Sequence, residues 1–153
     1  MDSYPALNLP PVRLRGRRRD GGEYVWDALR GCWLKLTPEE WVRRHVVGWL
    51  MDRMKVQPTG IVQEFPVSLG GSVQRADIVV VTPSGTPVML VECKAASVTV
   101  DASVLDQAMR YNSVVGARYI MITNGLKHYF LVTWNGVDYS RLDSLPSPTD
   151  LLL

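Results

Sequence analysis

The chain has 153 residues, which is enough for one domain with a hydrophobic core and too few for two ordinary ones. Its apolar content of 46% and charged content of 21% are those of a soluble globular protein, and no apolar run is long enough to cross a bilayer. The N-terminus shows no signal-peptide pattern, and the two cysteines form no disulfide framework, so we expect a cytoplasmic protein with reduced thiols. The net charge of +2 says little by itself, because its excess is local.

That local excess lies in the first predicted element. An extended lead-in is followed by a predicted β-hairpin from Val12 to Asp27, with a turn at residues 19–22, where Asp-Gly-Gly permits the positive φ that such loops need. The segment CWLKL predicts a further short strand. One face of the first hairpin strand is cationic, which indicates either a DNA phosphate-binding ribbon or a solvated edge protected by charge; the alternating side chains are Arg13, Arg15, Arg17 and Arg19.

The segment TPEEWVRRHVVGWLMDRM is the clearest helix signal in the sequence. Thr37 is a favourable N-cap, Pro38 suits the first helical position, and Glu40 at the third position would complete a capping box. The helix then presents an apolar stripe at helical spacing, formed by Val42, Val46, Trp49 and Leu50.

The remaining elements alternate between strands and one further helix. Three β segments at 61–69, 73–81 and 88–95 precede an amphipathic helix at 101–115, and strands follow at 117–125, 127–134 and 137–142. This order predicts an α/β fold with a restriction-endonuclease-like mixed central sheet flanked by helices, and a helical crossover after the 88–95 strand. We expect one domain, in which residues 1–35 are lead-in and basic hairpin, 36–145 the core and 146–153 a loose tail.

The charged residues of the central strands suggest a metal site. In the strand VMLVECKA, Glu92 and Lys94 share one face and Cys93 takes the other. Antiparallel pairing with the preceding strand would bring Asp77 level with Glu92. Two carboxylates in a partly dry site repel unless a cation lies between them, and Mg²⁺ takes one or two carboxylates with water and phosphate. Lys94 would then orient or deprotonate a water molecule. The alternative is a structural Glu92–Lys94 ion pair.

The segments RADIVVV, PVMLVECKA, LDQAMRYN and YIMITNG, in this order, resemble the N-terminal nuclease domain of type I restriction enzyme R subunits, in the PD-(D/E)XK nuclease superfamily. The resemblance covers roughly residues 36–131. It implies a Mg²⁺-dependent endonuclease, with Mn²⁺ as a substitute, that cleaves DNA phosphodiesters in restriction-modification, defence or DNA processing. It assigns metal ligation to Asp77, Glu92 and the backbone carbonyl of Cys93, and water activation to Lys94.

The same resemblance implies a glutamate on the first helix and a Q-x-x-x-Y motif on the second. Glu39 and Glu40 compete for the first role. We favour Glu39, because Glu40 is explained by capping and Glu39 fits the family's E-x-x-x-R spacing with Arg43. Gln107 would orient the lysine or a DNA phosphate, whereas Tyr111 is either part of the site or a core residue.

Two departures from the family pattern are visible. The proline that gives the superfamily its name is Ala76 here, which concerns backbone shape and not chemistry. The chain has no phosphate-binding G-x-x-x-x-G-K-[ST] loop, so the translocating ATPase of restriction enzymes is missing from it. We therefore expect DNA as a partner, together with a homodimer partner or a larger motor or specificity subunit. A catalytically silent nucleic-acid-binding or assembly module of the same fold, and cleavage of RNA or branched DNA, remain alternatives.

Overall fold

A computed structural model describes residues 3–151 and contains two β-sheets and two main helices. The elements are β1 (Gly16–Arg19), β2 (Gly22–Asp27), β3 (Cys32–Lys35), α1 (Pro38–Asp52), β4 (Ile61–Leu69), β5 (Ser72–Val81), β6 (Pro87–Cys93), α2 (Ala102–Val115), β7 (Tyr119–Thr123), β8 (His128–Thr133), β9 (Tyr139–Leu142) and α3 (Pro148–Leu151). A short 3₁₀ turn, Pro58–Gly60, precedes β4. None of the helices within residues 3–151 has the length and apolar character needed to cross a membrane.

The strand order confirms the predicted mixed sheet. Strands β1–β3 form a small antiparallel sheet, and β4–β9 form a six-stranded sheet in sequence order. Every pair in the larger sheet is antiparallel except β6 and β7, which are parallel and connected through α2. A parallel pair needs such a crossover because its connection must return along the whole length of the sheet.

The two helices cover opposite faces of the large sheet, which leaves β6 buried on both sides. Alternate residues of β6 enter different cores: Met89, Val91 and Cys93 pack in the cluster that contains the buried stripe of α1. Leu90 packs in the second cluster, with Ala108 of α2. The near-continuous apolar sequence of β6 follows from this double burial, as is usual for central strands.

The helix ends largely follow the sequence signals. The Thr37 side chain accepts a hydrogen bond from the Glu40 amide at 3.0 Å, and Asp101 caps α2 by accepting from the Ser103 and Val104 amides. The predicted capping box is only half formed. The Glu40 carboxylate accepts from the guanidinium of Arg43 instead, because an ion pair in a buried position outweighs a backbone cap.

The N-terminal segment is more closely integrated than an extended lead-in suggests. The hairpin turn has positive φ at Asp20 and Gly21, as predicted, but β1 begins at Gly16 and not at Val12. The preceding residues pack on the core: Leu7 contacts the α1-side cluster, and a Cβ on Gly48 of α1 would lie 2.1 Å from Val12 Cγ1. Only glycine fits at this close approach.

The prediction of a loose C-terminal tail was wrong for the part that the structure describes. Residues 148–151 form the short helix α3, and the Leu151 side chain is buried in the α1-side cluster. Transfer of an apolar side chain from water into this cluster lowers the free energy of the folded chain, which holds α3 in place. The rest of the predicted tail, residues 152 and 153, lies outside the described residues.

Candidate active site

The β5–β6 pairing brings the two predicted metal-binding carboxylates together. Ile78 pairs with Val91, so Asp77 and Glu92 follow at the next position of each strand. Asp77 Oδ2 accepts a hydrogen bond from the Cys93 amide at 2.7 Å, and the Asp77 amide donates to Glu92 Oε1 at 3.3 Å. The two side chains therefore bind the backbone of each other's strand, which fixes both carboxylates at the end of β6.

Lys94 follows directly on this pair, where β6 ends. Its amide donates to the Thr123 carbonyl of β7 at 2.8 Å, which continues the parallel pairing by one residue. The Lys94 side chain is partly exposed, whereas the Cys93 side chain is fully buried. Burial raises the pKa of the Cys93 thiol well above its ordinary value, so this thiol stays protonated and does not act as a ligand.

Glu92 lies in an environment that penalises its charge. Burial raises its pKa to about 8, and the neighbouring charge of Asp77 contributes in the same direction. The Asp77 amide and the Lys94 ammonium oppose this shift only in part. A carboxyl group of this kind ionises fully near neutral pH when a further cation is supplied.

Helix α1 contributes a buried arginine to the same site. Arg43 Nη2 donates to Asp77 Oδ1 at 2.8 Å, and its Nη1 donates to Glu40 Oε2 at 3.0 Å. The side chain is only 11% exposed. Although burial lowers the pKa of Arg43, the charges of Asp77 and Glu40 raise it further, so the guanidinium is charged.

The two glutamates that compete for the helix position have different surroundings. Glu40 is buried and binds Arg43 and Arg44, so it belongs to the ion network beneath the helix. Glu39 is 46% exposed, and its Oε1 lies 3.6 Å from Arg43 Nη2. Burial raises the pKa of Glu39, followed by the charge of Asp77, while Arg43 and Lys94 lower it. Lys94 is thus among the charges that act on Glu39, whereas the described contacts of Glu40 are those to Thr37, Arg43 and Arg44.

Helix α2 places the Q-x-x-x-Y motif beside the carboxylates. Gln107 Nε2 donates to the Tyr111 hydroxyl at 3.2 Å. Tyr111 packs in the α2-side core, and its pKa is raised by burial and then by the charges of Glu92 and Asp77. Tyr111 is therefore both a core residue and a neighbour of the candidate site.

The basic hairpin lies on the smaller sheet and not among the carboxylates. Of the four predicted DNA-binding arginines, Arg15 and Arg17 lie over tryptophan rings, Arg19 lies 4.0 Å from Asp20, and Arg13 is exposed before β1. The structure thus separates these arginines from the candidate site residues.

The carboxylate pair suits a divalent cation with an incomplete protein shell. Within residues 3–151, no group of three or more acidic, histidine or cysteine side chains is placed to hold a metal ion. Asp77 and Glu92 supply two carboxylates, and their mutual repulsion is what a cation would relieve. Because Mg²⁺ takes one or two carboxylates and completes its shell with water and phosphate, this donor set fits Mg²⁺.

The sequence analysis missed a second buried ion network centred on Asp27 at the end of β2. This fully buried carboxylate accepts from Arg30 Nε at 2.6 Å and from Gln63 Nε2 at 3.1 Å, and Arg44 Nη1 lies 3.2 Å from it. The i,i+3 spacing of Asp27 and Arg30 was an available local signal. The contact to Arg44 had none, because only the docking of the small sheet on α1 creates it.

Comparisons with known proteins agree with the fold. One solved structure is the fragment of a putative HsdR subunit of a type I restriction enzyme from Vibrio vulnificus YJ016, with a TM-score of 0.59 and 22% identity. The match covers 76% of this chain but only 25% of that chain, and at this identity it shows the fold alone. No curated protein matched the sequence. The family described as "Type I restriction enzyme R protein N terminus (HSDR_N)" matches residues 38–146, most of the chain, and the protein therefore belongs to this family.

Proposed function

We propose that this chain is a Mg²⁺-dependent endonuclease domain that hydrolyses DNA phosphodiester bonds and works with other subunits in restriction, defence or DNA processing. The observation that carries the proposal is the pairing of Asp77 with Glu92 at the end of β6, directly before Lys94. Membership of the R-subunit N-terminal family supports the same reaction class. DNA and further subunits of such a complex are the partners that we propose.

In this reaction Asp77, Glu92 and the Cys93 carbonyl would hold the cation. A bound Mg²⁺ supplies polarisation of the phosphoryl oxygen and lowers the pKa of a coordinated water. Lys94 is adjacent and partly exposed, so its ammonium group can meet the negative charge that develops on the phosphate. The charge of Lys94 lowers the pKa values of Glu92 and Glu39, which supports this role.

Two further groups would position the substrate and the attacking water. Glu39 is half exposed next to Asp77 and Lys94, so its carboxylate can accept a hydrogen bond from a water at the open side of the site. Gln107 is held by the Tyr111 hydroxyl on the α2 side, where its amide can bind a phosphate oxygen. Positioning of this kind lowers the barrier because reactants no longer lose their freedom in the rate-limiting step.

The test is cleavage of supercoiled plasmid and of single-stranded DNA, with Mg²⁺ or Mn²⁺ and with EDTA. We expect metal-dependent cleavage that Lys94→Ala lowers by about 10²–10³-fold, the usual cost of removing a group that stabilises charge developing in the transition state. Lys127→Ala is the matched control, because Lys127 is an exposed lysine outside the site. Asp77→Asn should weaken Mn²⁺ binding in calorimetry, whereas Lys94→Ala should leave it largely intact.

Two outcomes would contradict the proposal. Cleavage that survives in EDTA or in Lys94→Ala would assign the activity to other residues. Absence of metal binding by the wild type would favour the silent nucleic-acid-binding or assembly module.

A further inference from the structure

The outward face of the small sheet combines cations with aromatic rings. Two rows of side chains that run across the strands form this face. In the first row, Tyr24 pairs with Arg17 on one side and with Lys35 on the other. In the second row, two residues further along each strand, Trp26 lies between Arg15 and Trp33. Residues two apart on a strand share a face, so both rows point the same way. We call these six residues the cation–aromatic face: Arg15, Arg17, Tyr24, Trp26, Trp33 and Lys35.

The two arginines of this face lie over tryptophan rings. Arg17 Cζ lies 4.1 Å from the centroid of the Trp33 ring. Arg15 Cζ lies 5.4 Å and 5.3 Å from the Trp26 and Trp33 rings, which themselves meet edge to face at 5.3 Å. These cation–π contacts hold two exposed guanidinium groups over the tryptophan rings. Each keeps one planar side and its hydrogen-bond donors available to a ligand.

The charge of this face is not balanced by carboxylates. Neither row contains an acidic residue, and among residues 3–151 no carboxylate lies within ion-pair distance of Arg15 or Arg17. The other face of the sheet differs. There Arg18 donates to Glu23 at 2.8 Å. An aromatic surface with uncompensated cations is complementary to a polyanion that carries flat apolar groups.

The small sheet is fixed rigidly to the rest of the molecule. Val25 and Asp27, on its inner face, are fully buried. Asp27 binds Arg44 of α1 and Gln63 of β4. The same turn of α1 carries Arg43, which binds Asp77 at the candidate active site. A ligand on the cation–aromatic face is thereby held at a constant position relative to the carboxylates.

We propose that the cation–aromatic face binds single-stranded DNA. Unpaired bases stack on the indole and guanidinium planes, and backbone phosphates bind Arg15, Arg17 and Lys35. Bases inside a duplex are already stacked and cannot use these planes, so the aromatic part of the face selects unpaired strands. This inference rests on the proposed DNA endonuclease function and deepens it by naming the strand form of the substrate. The face lies outside residues 38–146, so the family match does not assign it.

The experiment measures binding of a fluorescent oligo(dT) by anisotropy in EDTA, where metal-dependent cleavage cannot interfere. Stacking on one aromatic ring contributes about 1–3 kcal/mol per base, so Trp33→Leu should raise the Kd by about 5- to 150-fold. Trp33→Phe keeps a ring and should recover much of the affinity. Arg15→Ala with Arg17→Ala removes two phosphate contacts and should reduce the slope of log Kd against log salt by about 1.4.

The chain offers a matched control for this experiment. Arg118 lies over the ring of Trp134 at 4.6 Å, and Trp134 is 77% exposed. This second arginine–tryptophan pair lies at the start of β7 and the end of β8, away from the small sheet. Arg118→Ala with Trp134→Leu should leave the Kd unchanged. Thermal melting of each variant verifies that Trp33→Leu is folded, and Trp33→Phe gives an independent reading if it is not.

Three results would overturn the inference. They are failure of the wild type to bind oligo(dT), equal binding of a duplex of the same length, or an equal loss of affinity in the Arg118 and Trp134 control. The binding experiment and the cleavage experiment can fail independently of each other. If Trp33→Leu binds normally while Lys94→Ala abolishes cleavage, only the binding face is wrong. If Trp33→Leu loses binding and no DNA is cleaved, only the nuclease assignment fails.

Discussion

Two buried carboxylate sites, Asp27 and the Asp77–Glu92 pair, each contact an arginine of α1. The pKa of Asp27 is lowered, whereas the pKa of Glu92 is raised. Asp27 has donors on both oxygens, including the Arg30 side chain, the Leu29 and Arg30 amides and Gln63, and it also pairs with Arg44. Although burial raises the pKa of Asp27, these partners lower it below its ordinary value. The Asp27 site is complete as the protein folds.

The second site is short of positive charge. Glu92 accepts a hydrogen bond from the Asp77 amide at 3.3 Å, and its pKa is raised to about 8 by burial and by Asp77. Arg43 compensates Asp77 and Glu40, but Glu92 retains a penalty for ionisation. Native proteins normally satisfy their buried polar groups, so an uncompensated carboxylate in a defined position indicates a function. The contrast separates a carboxylate whose charge is compensated within the fold from one that we propose as a metal ligand.

The largest effect is expected when Asp27 is neutralised, which tests whether this carboxylate stabilises the fold. Asp27→Asn keeps the shape but removes the buried carboxylate that Arg44 and Arg30 share, and loss of one member of a buried pair costs about 3–5 kcal/mol. We expect the free energy of unfolding in urea to fall by this amount, with Mn²⁺ binding retained in the molecules that remain folded. Asp20→Asn, at an exposed turn, should change stability by less than about 0.5 kcal/mol. Equal effects of the two variants would show that the Asp27 network is not structural.

Arg43 of α1 binds Asp77 at the candidate site and Glu40 in the buried ion network. If a metal ion binds at Asp77, it competes with the charge of Arg43, and removal of Arg43 should reveal this competition. Arg43→Gln leaves Asp77 and Glu40 without their shared cation, so the metal-free protein should lose about 3 kcal/mol of stability. A divalent cation would then replace part of the missing charge. The rise in Tm on addition of Ca²⁺ or Mn²⁺ should therefore be larger in Arg43→Gln than in the wild type.

Arg44→Gln is the control for this prediction, because Arg44 is equally buried on the same helix but pairs with Asp27. It should also lower the Tm without enlarging the metal-induced rise. If both variants respond alike to metal, Arg43 does not compete for the site.

The smallest effect concerns the pH dependence of stability without metal. The ordinary pKa of a glutamate, 4.5, describes the unfolded chain, whereas the folded pKa of Glu92 is about 8. Between these values the unfolded chain releases the proton first, so the stability of the wild type falls as pH rises through this window. Glu92→Gln lacks this loss, and its Tm advantage over the wild type in EDTA should grow from pH 5 to about 8 and then level off.

Glu64→Gln should show the opposite pH dependence, because the pKa of Glu64 is lowered and not raised. The pKa of Glu64 is lowered by its hydrogen bond to Arg30, so this pair stabilises the protein above the unfolded pKa and loses that contribution as pH falls. A Tm advantage of Glu92→Gln that shrinks with rising pH would contradict the raised pKa of Glu92.

Much of this molecule could be predicted from local sequence signals. Hydrophobic period located α1 and α2, and Thr37 was predicted as the N-cap of α1. The alternation in VMLVECKA and the turn before it were sufficient to predict that Asp77 and Glu92 come level. These features depend on residues near one another in the chain, and their physical rules act over one helical turn or one hairpin.

Other features depended on how distant elements dock. The Arg43–Asp77 and Arg44–Asp27 contacts join α1 to two different sheets, and no spacing in the sequence encodes their partners. The docking of distant elements also explains why the Glu40 carboxylate binds Arg43 and does not complete the capping box, and why Leu151 is buried. A buried ion pair gains its strength from the low dielectric that tertiary packing creates.

The sequence by itself determined the order of the elements, the mixed sheet and the candidate site residues, because propensity and side-chain alternation are local. Only the tertiary structure decided the electrostatic state of those residues. Burial depth and the placement of two neighbouring arginines make Asp27 a compensated ion pair and raise the pKa of Glu92 to about 8. Desolvation and charge compensation depend on everything that surrounds a group in space.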